Sequence, residues 1–297
     1  MPFDIDASQP RQVVRLHGVD IRQPVDAATL ARIKQALADH GAAAIGHDTP
    51  PTDEQHIAFS GQLGPMDRGR ETKFGGFGER VKHPEIVDQS NLNEVGELYS
   101  DSDRRLAYKR ANRLWHTDMS FFDIRATYSL LNAHSIPPSG ADTQFIDMRK
   151  VWEALPENRK AGLDELVVEH SYWHSRVLGG GPAPSEEELA AHPPARHKMV
   201  HVHAPSGRTS LYIASHSCGI VGWPKDKAMA LINELMAFAT QDRFVYAHKW
   251  KLGDVLIWDN LATLHRATEF EDTKFPRDVR RTTCRERSLV NGKVRIE

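Results

Sequence analysis

Cysteine is nearly missing from this sequence: Cys218 and Cys284 are the only two among 297 residues, and they stand far apart. Such sparse usage excludes a disulfide scaffold and fits a reducing cytosol, so both are expected as free thiols. Long apolar runs are also lacking. Nothing approaches the roughly 20 consecutive apolar residues of a membrane span. Met1–Asp6 has neither the basic nor the apolar region of a secretory leader. The expectation is a cytoplasmic protein with no membrane partner. Charge of one sign is not in excess either: 38 basic residues face 40 acidic ones for a net charge of −2, and the basic ones are scattered. That excludes a general phosphate-backbone footprint, and nucleic acid is not an expected partner. Internal repeats and low-complexity tracts are absent.

What is there is ordinary globular material, 40% hydrophobic and 26% charged, arranged as many short β-type runs with helical patterns between them. Asp26–His40 carries Leu30, Ile33 and Leu37 on one helical face and stops at Gly41. Ala42–Ile45 reads as a buried strand, and Thr52 with Gln55 forms a capping box that opens a second helix. From Asp67 to Asn112 the periodicity fails, and glycines sit among charges, the composition of a lid. Thr127–Ala133, Thr143–Ile146, Val167–Ser171, Phe244–Lys249, Val255–Asp259 and Arg281–Arg285 read as strands. Met199–Ala204 and Thr209–Ala214 form a hairpin about Pro205-Ser206-Gly207-Arg208, and Lys225–Thr240 is a helix. The insertion from Gly179 to Pro194, with a short helix capped by Ser185 and Glu188, is a second candidate lid. Strands of this number with helices outside them predict a mostly β fold with flanking helices around a double-stranded β-helix (jelly roll, cupin-like) core. A single domain over 1–297 is expected, with lid-like insertions at about 67–112 and 179–197.

One stretch carries chemistry. Leu114-Trp115-His116-Thr117-Asp118-Met119-Ser120-Phe121-Phe122 sets an imidazole and a carboxylate two residues apart. In a β-strand, residues i and i+2 share a face, so both would reach one point. A His-x-Asp pair alone is a weak signal. It gains force from Trp258-Asp259-Asn260, then Leu264-His265-Arg266, with Arg277, Arg280 and Arg281 beyond. Two imidazoles and one carboxylate on one face of a metal leave reactive positions open, the pattern of non-haem Fe(II) oxygenases. Zinc also takes three such ligands and a water. The arginines favour iron, because a 2-oxo dicarboxylate cosubstrate needs a fixed bidentate cation for its far carboxylate and a zinc hydrolase does not.

With these residues in view, the sequence resembles the Fe(II)/2-oxoglutarate-dependent TauD/TfdA dioxygenases, and within them most the 2,4-dichlorophenoxyacetate (aryloxyalkanoate) dioxygenases. The resemblance runs from the Asp26–His40 helix to Arg285 and is most specific at Leu114–Phe122, Ser139–Arg149, Phe244–His265 and Pro276–Arg281. It implies Fe(II), 2-oxoglutarate and O2, with His116, Asp118 and His265 as iron ligands and Thr143 and Arg277 on the distal carboxylate of 2-oxoglutarate. Arg281 would meet the substrate's anionic group, with Arg280 the nearest competitor for either arginine's role. Asn112, His203 and His216 would stand around the substrate. The implied partners are a small anionic organic substrate, an aryloxyalkanoate-type carboxylate first and a sulfonate such as taurine or an N-acyl amino acid as alternatives, and further copies of the chain in a homo-oligomer. A metal-binding jelly-roll sensor without catalysis is the rival of a different class.

Overall fold

Val255–Asp259 is an apolar run closed by a carboxylate, and all five residues are buried at the centre of a seven-stranded sheet. Such a run suits a strand covered on both faces. The structure is a computed structural model that describes residues 3–9, 11–68, 80–286, 288–290 and 293–295. Gly69, Gly75, Gly76 and Gly78 of the first expected lid lie outside the described residues.

In chain order the first elements are β1 (Asp4–Asp6), β2 (Val14–His17), α1 (Ala27–His40), β3 (Ala42–Ile45), α2 (Asp53–Leu63), β4 (Val87–Asp88) and α3 (Arg104–Arg110). There follow β5 (Ala126–Ser135), β6 (Thr143–Asp147), α4 (Met148–Ala154), α5 (Glu157–Lys160), β7 (Val167–His170), α6 (Tyr172–Leu178) and α7 (Glu186–Ala191). The remainder is β8 (Ala195–Lys198), β9 (Val200–His203), β10 (Arg208–Leu211), β11 (Ser217–Ile220), α8 (Lys225–Ala239), β12 (Val245–His248), β13 (Val255–Asp259), β14 (Thr263–Ala267) and β15 (Asp278–Arg285), then a pair of short strands, Ser288–Val290 and Lys293–Arg295. The described fold is thus mostly sheet with helices around it.

The large sheet runs β1-β2-β3-β13-β5-β15-β4, and β12-β6-β14 form a smaller antiparallel sheet. One face of the large sheet packs Leu130 and Ile257 on Ile33 and Leu37 of α1 and Phe59 of α2. Leu131, Leu256 and Trp258 on the opposite face meet Phe145 of β6, so the two sheets close on each other. Trp258, Phe145 and Leu130 are wholly buried, and burying side chains of this size contributes about 1.5–3 kcal/mol each. A third layer, β11-β7-β8 with α4 and α8, holds Val168, Ile220, Ile232 and Leu235 together. Among the described residues, no helix is long and apolar enough to cross a membrane.

The caps fall where the sequence puts them. Asp26 accepts from the Thr29 amide at 2.8 Å, Thr52 with Gln55 and Ser185 with Glu188 form complete capping boxes, and α1 ends at Gly41. Gly41 has a φ of 80°, and a Cβ there would come within 2.7 Å of the Thr263 methyl group.

Three expectations are corrected. Leu114–Phe122 is not a strand: only His116 forms a bridge, and the chain then turns at Asp118–Phe121 through Met119, whose φ is 57°. The segment between the two lid limits is not wholly irregular, since it holds β4, α3 and a 3₁₀ turn, Ala111–Arg113. His265 does not lie between strands but within β14.

Candidate active site

His116 and His265 exchange two backbone hydrogen bonds, His116 N to His265 O at 3.0 Å and His265 N to His116 O at 2.8 Å. The bridge brings the imidazole centroids to 4.2 Å. His116 Nδ1 is 2.8 Å from the Leu114 carbonyl. A carbonyl only accepts, so Nδ1 carries the proton and the lone pair is left on Nε2. His265 sits between Trp258 and Phe145, its Nε2 3.8 Å from Asp118 Oδ2 and its buried Nδ1 without a protein partner. Burial lowers both imidazole pKa values, His265's to well below the usual range, so both rings are neutral and able to donate at neutral pH.

The turn that replaces the expected strand aims Asp118 at the same point. Asn260, just after β13, accepts from the Asp118 amide at 3.1 Å and from Trp258 Nε1 at 2.9 Å, while its own amide donates to Ser129 Oγ at 2.9 Å. Thr117 Oγ1 donates to the Asn260 carbonyl at 2.7 Å. These bonds bend the chain after His116, and Ser129 on β5 donates to Asp118 Oδ2 at 2.7 Å. The guanidinium of Arg281 on β15 bonds the other oxygen. Burial pushes the Asp118 carboxyl upward, but Arg281, His265, His116 and Ser129 outweigh it, and the group stays ionised below its ordinary range. One donor atom from each of His116, Asp118 and His265 lies within 4.8 Å of the others.

Beside this cluster a pocket is lined by Gln89, Lys109, Asn112, Ala267 and Arg277, among others. Arg277 is only 8% exposed, its Nε has no partner, and its one side-chain contact is Nη1 to Gln89 O at 3.5 Å. No carboxylate among the described residues pairs with it, and burial alone brings its pKa down to about 10. It is a buried cation without a counter-charge, which is costly unless an anion arrives. Ala267, on the pocket wall, pairs in register with Thr143 of β6, whose Oγ1 accepts from Trp250 at 3.1 Å. Asn112 donates to Gln89 Oε1 at 2.9 Å on the same wall.

Residues 4–283 match the family described as taurine catabolism dioxygenase TauD, TfdA family. The chain belongs to the TauD, TfdA family. An alpha-ketoglutarate-dependent 2,4-dichlorophenoxyacetate dioxygenase of Cupriavidus pinatubonensis is 36% identical over 272 residues, 92% of this chain and 94% of the relative. A (S)-phenoxypropionate/alpha-ketoglutarate-dioxygenase of Sphingobium herbicidovorans is 30% identical over 75% of each chain. The crystal structure of AAD-2 in complex with Mn(II) and N-oxalylglycine is similar with a TM-score of 0.88 and 34% identity, covering 96% of this chain and 98% of that one.

The donor set of this TauD/TfdA chain fits a divalent transition ion: two neutral imidazoles, one ionised carboxylate, and an imidazole and a carboxylate each oriented by a further hydrogen bond. Of the remaining residues expected to contact substrate, His216 stands by the cluster, its ring 6.1 Å from His116 and 4.9 Å from Phe121. His203 is placed elsewhere: its Nε2 is 2.8 Å from Asp259 Oδ2 and its Nδ1 is 2.7 Å from Ser206, in a buried group with Arg149 and Asp147. Arg280, the competitor for either arginine role, is taken up by Asp53 at 2.8 Å and by Asp278. Ser129 and Asn260 were not legible as site residues. Only the position of Asn260 beside Asp259, opposite the His116 segment, could have pointed to it.

Proposed function

We propose that this TauD/TfdA chain is an Fe(II)- and 2-oxoglutarate-dependent dioxygenase that hydroxylates an aryloxyalkanoate carboxylate at the carbon next to the ether oxygen. The hydroxylated product is a hemiacetal-type species that releases the phenol, so ether cleavage follows hydroxylation. Bound at this site, Fe(II) with 2-oxoglutarate and O2 supplies oxidative decarboxylation to succinate and CO2 and delivery of one oxygen atom to a substrate C–H bond. His116, Asp118 and His265 hold the ion on one face and leave the other positions to the 2-oxo acid and O2. Arg277 takes the distal carboxylate of 2-oxoglutarate, with the Thr143 hydroxyl and Asn112 on the neighbouring wall. Arg281 orients Asp118 and stands on the side where the substrate's anionic group approaches. Phe121 and His216 exclude water and give the aryl ring an apolar face. A jelly roll formed by the two opposed sheets, as one catalytic domain over 1–297, is the architecture most consistent with this arrangement and with a family match over 4–283.

The buried, unpaired guanidinium of Arg277 in the pocket next to the His116–Asp118–His265 cluster carries the reading. The test is anaerobic addition of Fe(II) and 2-oxoglutarate to the purified protein. A visible metal-to-ligand charge-transfer band should form, and succinate should then appear when O2 and 2,4-dichlorophenoxyacetate are admitted. No band in the wild type, or an unchanged band in His116→Ala and Asp118→Ala, would exclude the proposal. Faster succinate release with taurine than with any aryloxyalkanoate would replace the substrate class.

A further inference from the structure

An unbroken ladder of rings leaves the metal-ligand cluster. His116 faces His216 at 6.1 Å, His216 faces Phe121 at 4.9 Å, and Phe121 faces Tyr172 at 5.2 Å. The guanidinium carbon of Arg176 then lies 4.9 Å from the centroid of Tyr172. Tyr172 and Arg176 are four residues apart on α6, hence on one helix face. The ladder thus has an imidazole of the cluster at one end and a cation at the other.

α6 is held in place by close backbone approach. The amide of Gly179 closes the helix on Ser175 O at 3.0 Å, and a Cβ on Gly179 would lie 2.5 Å from the Ala111 Cβ. Ala111 opens the 3₁₀ turn that carries Asn112 into the Arg277 pocket. The helix bearing Arg176 is therefore docked on the segment that forms the cosubstrate wall. The charge of Arg176 opposes protonation of both His116 and His216, which puts it on the imidazole side of the site. Arg281 stands on the other side, bonded to the carboxylate of Asp118. That pairing largely neutralises Arg281 and leaves the recognition of a second anion to another cation.

We propose that Arg176 is the residue that selects a carboxylate-bearing substrate, holding the carboxylate from the His216 side while the aryl ring lies along Phe121 and Tyr172. This rests on the aryloxyalkanoate reading given above. A guanidinium suits the role because it binds a carboxylate through two parallel N–H donors, and stacking on Tyr172 fixes its plane. Tyr172 fixes the aryl position by ring contact and Arg176 fixes the acid end. Together they set which carbon stands before the iron.

The experiment compares 2,4-dichlorophenoxyacetate with its uncharged analogue, 2-(2,4-dichlorophenoxy)ethanol, on the holoenzyme. Affinity is read anaerobically by calorimetry on the Mn(II)- and 2-oxoglutarate-loaded protein, and KM and kcat are read aerobically. Wild type, Arg176→Met, Arg176→Lys and Arg281→Met are measured side by side. Losing charge-assisted hydrogen bonds should weaken the acid about 10- to 100-fold in Arg176→Met, raise KM more than it lowers kcat, and move the alcohol less than about threefold. Arg176→Lys should recover part of the loss, which a folding defect would not allow. Equal losses for acid and alcohol, no loss for either, or an acid-specific loss confined to Arg281→Met would overturn the proposal. Wild-type turnover of the acid with succinate release establishes the underlying reading separately. A wild type that takes no aryloxyalkanoate removes that reading, and this proposal with it.

Discussion

Replacing Arg277 with methionine should raise the stability of the metal-free protein and at the same time remove its response to 2-oxoglutarate. Burial brings the guanidinium from its ordinary 12.5 to about 10, and at 1.36 kcal/mol per pKa unit the charged form carries a penalty of about 3 kcal/mol. Little offsets it, because Nη1 reaches only the Gln89 carbonyl, at 3.5 Å, and Nε reaches nothing. The backbone amide of Arg277 keeps its 2.7 Å bond to Asn91 Oδ1 whatever the side chain. Methionine is unbranched and fills the stem's path. A net gain of about 1–2 kcal/mol is expected, a rise of a few degrees in Tm for a chain of this size. Loss of the guanidinium from a desolvated ion pair with the cosubstrate should cost about 2–5 kcal/mol of binding, or at least about 30-fold. Scanning calorimetry with and without Mn(II) and 2-oxoglutarate reads both effects in one series. A metal-free variant less stable than wild type by more than about 1 kcal/mol, or one that keeps the 2-oxoglutarate shift, would refute the reasoning.

Mn(II) should raise the Tm of the wild type and leave those of Asp118→Ala and His265→Ala unmoved, since an ion that binds the folded state alone stabilises it by mass action. Ser129→Ala and Asn260→Ala should each weaken Fe(II) affinity about 10- to 100-fold by releasing the groups that aim Asp118, as a competition titration with a chelator would show. His203→Leu leaves Asp259 buried without its partner and should cost about 3 kcal/mol or more by urea unfolding, with KM for aryloxyacetate within about twofold; a large KM change would return His203 to the substrate site. Burial holds His56 and His170 down at about 3. Both folded-state values lie below the unfolded 6.5, so both rings stay neutral in the fold while the unfolded chain takes up protons below 6.5. Each should therefore forfeit about 2 kcal/mol of stability by pH 5, and His56→Gln should flatten the acid limb of a urea-midpoint profile by that amount.

The helices announced themselves through local chemistry: Asp26, Thr52 with Gln55, and Ser185 with Glu188 are caps that depend on residues at most three positions away. The His116, Asp118 and His265 cluster was legible for a different reason, because its donor types repeat a pattern that a metal imposes. The local conformation that assembles it was not. A strand over Leu114–Phe122 is the natural reading of its apolar residues, yet Asn260, distant in sequence, binds the Asp118 amide and bends the chain. α3 was missed because Arg104–Arg110 is basic and brings Leu106 to the core without an apolar stripe. β14 was missed because its pairing with β6 gives His265 its place, and such pairing leaves no periodic trace in five residues. Ser129 looks like packing in an apolar strand, and Arg176 belongs to no motif. Their roles arise only from what the fold sets opposite them.

The paired backbone bonds between His116 and His265 join points separated by roughly 150 residues, and closing a loop of that length costs about 4 kcal/mol of chain entropy before either imidazole gains a partner. Those bonds can form only after the intervening strands have been laid down. During synthesis the ion would therefore find its three ligands together only on a nearly finished chain. Metal uptake then serves as a test of completed folding: a chain stalled before β14 has no site at which to bind iron and generate damaging oxidants.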